Sequence, residues 1–562
     1  MTSEPSVTAP TAQAEAPVST LKYVGPIAIL LLLGLLIALS IYAQSPPRAE
    51  PEGIPASAFS AGRAMRHMAI IAAKPHPTGS AENAEVRDYL MRELSAAGLA
   101  PEIQQSTLFK NRRGEPQGGI QNVLARLKGT GGSGRAILLV AHYDSVRQSF
   151  GASDDGVSVA TLLETLRTLK AGEPLKNDVI FLFTDGEELG LLGARAFSAE
   201  HPWAKDAGLA LNFEARGNTG PVIMFETSDN NGWLMNEFAK VAPFPVAHSL
   251  SYEIYRLLPN DTDLTVFKSA GVGGLNFATI DGLTHYHSLQ DNLSSVDANT
   301  IQHRGSYAVA LTRHFGNLDL NQTSARNDVY FDLFGRTLVH YSSFWVLPLT
   351  VLVCVLFVVL LILGLRKQRL TIRGIFLGAV SLLVSILVAG VAGLLLWKVV
   401  GMIRGAAIFP LLQSRLFFLG FVVFAVAITA VVYAWTSKRA NGASLGVGAI
   451  LWWLLLTLIV SVFIPGGSFL FHWPLLFSIL GLAWLIWTPE DKKFSSQLIL
   501  ALCAVPAIVL WVPVIYQIFI GLTLNFVAFI IAMVVLLLGL LVPLATTAYP
   551  AARLTRSLST IR

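Results

Sequence analysis

The stretch 177-NDVIFLFTDGEELG-190 places an apolar run directly before two neighbouring glutamates, Glu187 and Glu188. A short apolar run of this kind is typical of a strand that is buried on both faces of a sheet. Neighbouring carboxylates repel each other, so a chain gains little by placing two of them where a buried strand ends. The pair therefore needs an explanation other than exposure to solvent.

The sequence on either side of this stretch alternates between strand and helix patterns. Further strands are predicted at QNVLARLKG, RAILLVAHYDS and AGLALNFEARG, and helices at AENAEVRDYLMRELSAAGL, GVSVATLLETLRTLK and EELGLLGARAFSA. Apolar strands that alternate with helices predict an α/β domain whose mostly parallel sheet is flanked by helices. In such sheets, ligands bind beyond the carboxyl ends of the strands.

The predicted strand ends carry side chains that bind metals. His142 and Asp144 end the strand RAILLVAHYDS, Glu187 and Glu188 follow NDVIFLFTD, and Glu214 lies in AGLALNFEARG. Asp154 and Asp155 lie in GASDDG, between the first two of these strands. Each has an ordinary alternative. An aspartate of GASDDG could cap the next helix, and the glutamate pair could be first-turn acids that a helix dipole favours. Glu214 could pair with Arg216, and His142 could lie in the core.

These alternatives fail together, because so many acidic and imidazole groups at one edge would repel each other strongly without a cation. Oxygen and nitrogen donors without cysteine suit Zn²⁺ or a similar divalent ion at a catalytic site. One carboxylate can bridge two such ions, and the reaction then needs a base for the proton of the attacking water. We therefore expect one glutamate of the pair to bind metal and its neighbour to handle the proton.

The composition of the whole chain is that of a membrane protein. Of its 562 residues 53% are hydrophobic and 14% are charged, and the mean hydropathy is +0.56. About eight spans are predicted, one near the amino terminus and the others after residue 342. The small net charge of +5 gives no reason to expect a nucleic-acid partner. Both cysteines, Cys354 and Cys503, fall in apolar spans. The polar domain, which we place at residues 60–325, therefore has no disulfide framework.

We expect six segments along the chain. They are a disordered cytoplasmic amino terminus at 1–23, a transmembrane anchor at 24–43, a linker at 44–59, a metal-dependent domain at 60–325, a membrane domain of about seven helices at 342–546 and a cytoplasmic tail at 547–562. A cleaved signal peptide is the alternative to the anchor. Lysines and arginines in alternate loops predict that both termini face the cytoplasm and that the 60–325 domain lies outside it.

Five motifs, in order, give the polar domain a resemblance to a known family. HYDS, GASDDG, FTDGEELGLLG, NFEARG and HYHSLQDN resemble the co-catalytic di-zinc aminopeptidases, which include bacterial leucyl aminopeptidases and glutamate carboxypeptidase. The combination with many spans looks most like the endoplasmic reticulum metallopeptidase and vacuolar membrane protease subgroup. The resemblance covers residues 60 to 320 and implies a zinc exopeptidase fold with two Zn²⁺ per subunit.

The resemblance also implies roles for individual residues. The metal ligands would be His142, Asp154 as the bridge, Glu188, Glu214 and His287; Asp144 would orient His142, and Glu187 would be the general base. Glu214 stands where many members have aspartate. His285 would share a face with His287 on an extended segment, and the family pattern favours His287. Asp291 would support this loop, and Asp261 or Asp263 would cap a helix or line the pocket.

The function expected from these motifs is a membrane-anchored, zinc-dependent exopeptidase, an aminopeptidase, that acts on peptide substrates outside the cytoplasm. One alternative is a catalytically silent ectodomain that serves as a scaffold or receptor, and another is a glutaminyl cyclase-like acyltransferase. The lack of paired cysteines and the Ala/Leu-rich composition favour a bacterial inner membrane, with the peptidase domain in the periplasm. An endomembrane with a luminal peptidase domain is the alternative. The sequence leaves the oligomeric state open.

Overall fold

The computed structural model describes residues 21–107, 119–489 and 493–548. The expected disordered amino terminus lies outside these residues up to position 20, and the expected cytoplasmic tail lies outside them from position 549. The first helix, α1 (Leu21–Tyr42), begins earlier than the predicted anchor.

A seven-stranded sheet forms the centre of the polar domain. Its strands are β1 (Glu102–Ser106), β2 (Ile120–Leu127), β3 (Ala136–His142), β4 (Asp178–Thr184), β5 (Ala207–Ala215), β6 (Thr219–Thr227) and β7 (Gly273–Asp281). They are ordered β1-β2-β4-β3-β5-β7-β6. The four adjacent strands β4, β3, β5 and β7 are parallel, and the outer strands pair antiparallel. The predicted α/β fold with a mostly parallel sheet is thus confirmed.

Helices cover both faces of this sheet. They are α2 (Ala61–Ile71), α3 (Ala81–Ala96), α4 (Val157–Lys170), α5 (Leu192–Glu200), α6 (Gly232–Val241), α7 (Ser249–Tyr255), α8 (Asp263–Ser269) and α9 (Ala298–Phe315). Strand β3 shows why both faces are apolar. Ile137 and Leu139 pack into the cluster that contains α2, α4 and α9. Leu138 and Val140 pack into the cluster with α5 and α8, because successive side chains of a strand point to opposite faces.

The membrane part contains long apolar helices. They are α10 (Val346–Arg366), α11 (Ile372–Arg404), α12 (Arg415–Thr436), α13 (Gly442–Phe463), α14 (Phe469–Trp487), α15 (Lys493–Leu522) and α16 (Val527–Ala548). With α1, eight helices among the described residues are long and apolar enough to cross a membrane. This is the number expected from the sequence, and the chain is a multi-pass membrane protein. Cys354 and Cys503 are both free.

A hairpin that the sequence analysis did not predict joins the two parts. Strands β8 (Asp328–Leu333) and β9 (Thr337–Ser342) pair antiparallel just before α10. Phe331 of β8 stacks on Phe469 of α14, with 4.8 Å between ring centroids. The sequence analysis assigns residues 326–341 to neither domain.

A buried chain of hydrogen bonds also joins the two parts. The Gln44 amide, just beyond α1, donates to both Asp332 carboxylate oxygens at 3.3 and 3.1 Å. The Gln517 amide of α15 donates to Gln44 Oε1 at 3.0 Å, and Gln517 Oε1 lies 2.7 Å from His248 Nε2. Burial lowers the pKa of His248 to about 4. The ring is therefore neutral and donates this bond. The amino-terminal helix, α15 and the polar domain are thus held in one arrangement.

We expect Gln44→Leu to lower the stability of the full-length protein by about 1–3 kcal/mol, because it leaves the buried Gln517 amide without its acceptor and removes a donor to Asp332. The readout is the thermal unfolding midpoint of the detergent-solubilised protein. Gln105→Leu makes the same chemical change at an exposed position of β1 and should leave the midpoint unchanged. Equal midpoints for the two variants would contradict a structural role for this network.

Candidate metal centre

The candidate site lies at the carboxyl ends of the parallel strands. His142 is the last residue of β3 and pairs in register with Thr184, the last residue of β4. Glu214 lies at the end of β5, which is the other neighbour of β3. Because parallel strands end at one edge, these three chain segments meet there without any long-range adjustment. The order of the strands thus explains why residues far apart in sequence form one cluster.

Asp154 lies between two groups of potential ligands. Its Oδ1 is 3.2 Å from His142 Nε2, and the same nitrogen is 3.7 Å from Glu214 Oε2. Its Oδ2 is 3.0 Å from His287 Nε2, and that nitrogen is 3.0 Å from Glu188 Oε1. Each carboxylate oxygen of Asp154 therefore faces a different histidine, and each of these histidines lies beside a different glutamate. This is the arrangement expected of a carboxylate that bridges two ions.

Several of these atoms are buried without a hydrogen-bond partner. Among the described residues, Asp154 Oδ2, Glu188 Oε1 and His287 Nε2 are buried without a hydrogen-bond partner, although His287 Nε2 lies 3.0 Å from each of the two oxygens. Buried polar atoms are normally satisfied, so an orphaned trio that converges on one point indicates a missing partner. A divalent cation satisfies all three atoms, and this nitrogen and oxygen donor set fits zinc.

The protonation behaviour of the site also calls for positive charge. Burial raises the pKa of Glu188 to about 7, and burial likewise raises the pKa of Glu187 and Glu214 well above the ordinary value. Burial alone would lower the pKa of His287, but the nearby carboxylates of Asp154 and Glu188 raise it to about 9. The cluster therefore favours positive charge, which a bound cation would supply.

The glutamate pair lies in a turn and not in a helix, which corrects the prediction from EELGLLGARAFSA. Helix α5 begins only at Leu192. The amides of Gly190 and Leu191 both donate to the Glu187 carbonyl, at 2.8 and 2.9 Å. Leu191 has a φ of 62° and Gly190 a φ of 115°, and these left-handed conformations prevent the helix from starting earlier. Glu187 and Glu188 therefore reach the site from an irregular turn.

Asp144 fixes this turn and the histidine together. Its two carboxylate oxygens accept hydrogen bonds from the backbone amides of Glu187 and Glu188, at 3.1 and 3.3 Å. Oδ1 also lies 3.5 Å from His142 Nδ1, which is 3.0 Å from the Asp144 carbonyl oxygen. Its side chain is buried. Asp144 therefore orients both the ring of His142 and the turn that carries the glutamates.

Asp291 has a similar role on the other side of the site. Its carboxylate accepts hydrogen bonds from the amides of Ser153 and Asp154, at 2.7 and 3.3 Å. It thereby ties the loop that carries His287 to the loop that carries Asp154. This contact agrees with the supporting role that the sequence analysis gave to Asp291.

The structure separates His285 from His287. His287 has a φ of 55° and faces Asp154 and Glu188, whereas His285 Nδ1 accepts a hydrogen bond of 2.7 Å from the Asn218 side chain. The expectation that the two rings would share a face is wrong, because it assumed an extended backbone between them. The left-handed residue turns the ring of His287 towards the ligands and leaves His285 outside the cluster.

Three further charged residues lie against the site. Asp155 Oδ2 accepts a hydrogen bond from the His142 amide at 3.3 Å, and an oxygen of Asp155 lies within 4.8 Å of ligand atoms of His142 and Glu214. Asp154 fits a bridging position better, because among the carboxylates of the described residues it has one oxygen beside each of the two histidines. Arg304 of α9 is buried and donates to the Glu214 carbonyl at 2.7 Å. No local pattern singled out Arg304.

Asp263 is the third of these residues. It is buried and accepts a hydrogen bond of 2.5 Å from the Thr184 hydroxyl, directly below the site. The expectation that Asp261 or Asp263 caps α8 is wrong, because Thr262 is the N-cap of that helix. Asp261 instead lines the cavity described next.

A cavity of about 750 Å³ opens onto the candidate ligands and is lined by Asp154, Glu187, Glu188, Glu214 and His287, among others. Its remaining wall is mostly apolar and includes Ile223, Phe225, Ile254, Leu258, Ile280 and Tyr286. Arg216 also lines it, with its guanidinium 5.4 Å from the ring centroid of Tyr286. An apolar pocket with a few convergent polar groups is the usual form of a small-ligand site.

The fold and these candidate ligands are those expected of a metallopeptidase domain, here joined to a membrane domain. Residues 122–312 match the family model described as Peptidase family M28. This part of the chain is therefore similar to that peptidase family, and the resemblance predicted from the five motifs is confirmed.

Two relatives match part of this chain. Endoplasmic reticulum metallopeptidase 1 of Mus musculus is 31% identical over 296 residues, which are 49% of this chain and 33% of that protein. Vacuolar membrane protease of Candida albicans is 36% identical over 242 residues, which are 42% of this chain and 28% of that protein. The matched region thus spans about a third or less of the length of these relatives.

Two solved structures are similar to part of this chain. One is a Zn-dependent exopeptidase from Parabacteroides distasonis, with 18% identity and a TM-score of 0.37, over 46% of this chain and 98% of the other. Another is glutaminyl cyclase from Porphyromonas gingivalis, with 20% identity and a TM-score of 0.37, over 45% of this chain and 96% of the other.

Proposed function

We propose that this chain is a membrane-anchored exopeptidase, an aminopeptidase, that holds two zinc ions at the edge of its sheet. One ion would be held by His142 and Glu214, the other by His287 and Glu188, with Asp154 shared between them. The observation that carries the proposal is the position of Asp154, whose two oxygens face two separate histidine and glutamate pairs.

Zinc at this position would supply Lewis acidity for the scissile carbonyl and for the attacking water. The protein residues supply the rest of the chemistry. Glu187 lines the cavity beside the ligands and belongs to neither histidine and glutamate pair. Its carboxylate would accept the proton of the water and deliver it to the leaving amine nitrogen. Asp144 would keep Glu187 in place through the backbone bond at 3.1 Å.

The charge of the cavity supports an aminopeptidase over a carboxypeptidase. Its described lining contains five acidic residues, of which Asp154, Glu188 and Glu214 would be neutralised by the two ions and Glu187 would serve as the base. The remaining carboxylate, Asp261, would be available to bind the ammonium group of a peptide amino terminus. Arg216 is the residue that a carboxypeptidase would use, so it provides a direct comparison in the assay below.

We also propose that the peptidase domain lies outside the cytoplasm. Arg415, at the start of α12, forms an ion pair of 2.8 Å with Asp281 of β7, so this end of α12 lies on the side of the peptidase domain. The loops richer in lysine and arginine connect the opposite helix ends, which is the cytoplasmic side by the positive-inside rule. The relatives' names refer to the endoplasmic reticulum and the vacuole. They fit the endomembrane alternative and give no support to a bacterial inner membrane.

The test is a substrate panel with the full-length protein in detergent, with zinc and with a chelator. We expect release of the first residue from peptides with a free amino terminus, no turnover of the N-acetylated forms, and loss of activity with chelator that zinc restores. Arg216→Ala should leave this activity in place. Preference for a free carboxyl terminus, lost in Arg216→Ala, would overturn the aminopeptidase assignment.

The same panel separates the alternatives. Cyclisation of an N-terminal glutamine peptide without hydrolysis would indicate the acyltransferase. Absence of bound zinc together with absence of turnover would indicate the silent scaffold or receptor. Bound zinc with release of amino-terminal residues excludes both.

A further inference from the structure

The cavity at the candidate metal centre has a wall from the membrane domain. Besides residues of the peptidase domain, its lining includes Gln517, Ile518, Gly521 and Leu522. These residues form the last turns of α15, which ends at Leu522. A helix that is apolar and long enough to cross a membrane therefore reaches the same space as the proposed catalytic base Glu187.

This end of α15 is fixed against the peptidase domain. Gln517 is held by His248 at 2.7 Å and by Gln44 at 3.0 Å. Nearby, Gln413 donates to the Ile520 carbonyl at 2.7 Å, and Arg415 pairs with Asp281 at 2.8 Å. Contacts on both sides of the helix end thus set its distance from β7, so the wall has a defined position.

A glycine near the end of α15, Gly521, lies beside the part of the cavity wall that β7 contributes. A Cβ at Gly521 would lie 3.7 Å from Ile280 Cδ1, which is ordinary van der Waals contact, and no other heavy atom of the surroundings lies within 4 Å. Ile280 belongs to β7 and lines the cavity too. The absence of a side chain at position 521 therefore leaves space that the cavity uses, and a larger residue there would extend into it.

The chemistry of this part of the cavity is apolar, since Ile518, Leu522 and Ile280 surround Gly521. The acidic ligands lie in the same cavity. A peptide whose amino terminus is held at the acidic end could therefore place an apolar side chain against α15. Burial of such a side chain would strengthen binding about 10-fold or more.

We propose that α15 is part of the substrate-binding wall and that Gly521 sets the size of the apolar side chain that the site accepts. The preferred substrates are peptides with a large apolar residue, such as leucine or phenylalanine, next to the bond that is cleaved. This inference rests on the proposed aminopeptidase function and adds a role for the membrane domain in specificity.

The test compares Gly521→Ala and Gly521→Leu with the unchanged full-length protein loaded with zinc. Gly420→Leu is the matched control, because position 420 on α12 is exposed and has no atom within 4 Å of the added Cβ. The two substrates are peptides that differ only in an amino-terminal phenylalanine or alanine. For Gly521→Leu, kcat/KM for the phenylalanine peptide should fall about 10-fold or more, mainly through KM. The kcat/KM for the alanine peptide should change less than about 3-fold. Gly521→Ala should give a smaller change in the same direction.

A second readout does not depend on turnover. Binding of phenylalanine amide and of alanine amide to each zinc-loaded protein is measured by calorimetry. The inference is supported if Gly521→Leu weakens the binding of phenylalanine amide but not of alanine amide, and Gly420→Leu weakens neither. This result would support it even if the unchanged protein hydrolysed no peptide, and only the aminopeptidase proposal would then fail. Unchanged selectivity in both readouts, or an equal loss for both ligands, overturns the role of Gly521 while leaving the aminopeptidase proposal intact.

Discussion

Glu187→Gln should keep its zinc and lose peptide hydrolysis by about 10²–10⁴-fold, the usual contribution of a general base. The amide has nearly the same shape as the carboxylate but cannot take up a proton at neutral pH. The backbone bond from residue 187 to Asp144 involves the amide N–H, so the turn should be preserved. The readouts are kcat with a free amino-terminal peptide and the zinc content of the purified protein.

Glu173→Gln is the matched control, because Glu173 is exposed and remote from the cavity lining. It should match the unchanged protein in both readouts. A Glu187→Gln protein with near-normal turnover would remove Glu187 from the proposed mechanism. A protein without zinc would instead make Glu187 a ligand, and the roles of Glu187 and Glu188 would have to be exchanged.

Asp154→Asn should have a comparably large effect, but through loss of metal. The substitution removes the negative charge that faces both His142 and His287 at 3.2 and 3.0 Å. Removal of a residue that only orients a ligand weakens metal binding about 10–100-fold, and loss of a shared ligand should exceed that range. We expect the zinc content to fall below that of the unchanged protein at equal free zinc, with hydrolysis reduced to background.

Asp319→Asn makes the same change at an exposed carboxylate and should keep the full zinc content. Zinc titration followed by metal analysis gives the stoichiometry directly. Two ions per chain bound to Asp154→Asn with normal affinity would exclude Asp154 as the bridge. Asp155, which lies within reach of His142 and Glu214, would then be the residue to substitute next.

The sequence predicted the strands and brought out most of the candidate ligands for one physical reason. Buried parallel strands are continuous apolar runs, so the residues that end them, such as His142 and Glu214, can be read directly from the chain. The start of α5 could not be read in this way. The left-handed conformation of Leu191, with a φ of 62°, has no signature in a leucine side chain.

Residues that act over long sequence separations were also missed. Arg304 reaches the site from α9, and its contact with the Glu214 carbonyl joins residues 90 positions apart. Gly521 lies in a helix whose composition indicates only a membrane span, and its place beside Ile280 in the cavity lining depends on how two domains pack. Local patterns carry no information about such packing, so the sequence analysis gave the membrane domain no part in the site.

The end of α15 in the cavity has a consequence for how this enzyme can be studied. A soluble fragment cut at residues 60–325 would lack Ile518 and Leu522, and solvent would enter where these side chains now lie. It would also lose Gln517, the partner of the His248 side chain. If such a fragment folded and bound zinc, its substrate-binding cavity would lack the wall that α15 supplies. Its preference among substrate side chains would therefore differ from that of the intact protein. Inhibitors chosen against the fragment would therefore fit a shape that the intact protein does not have.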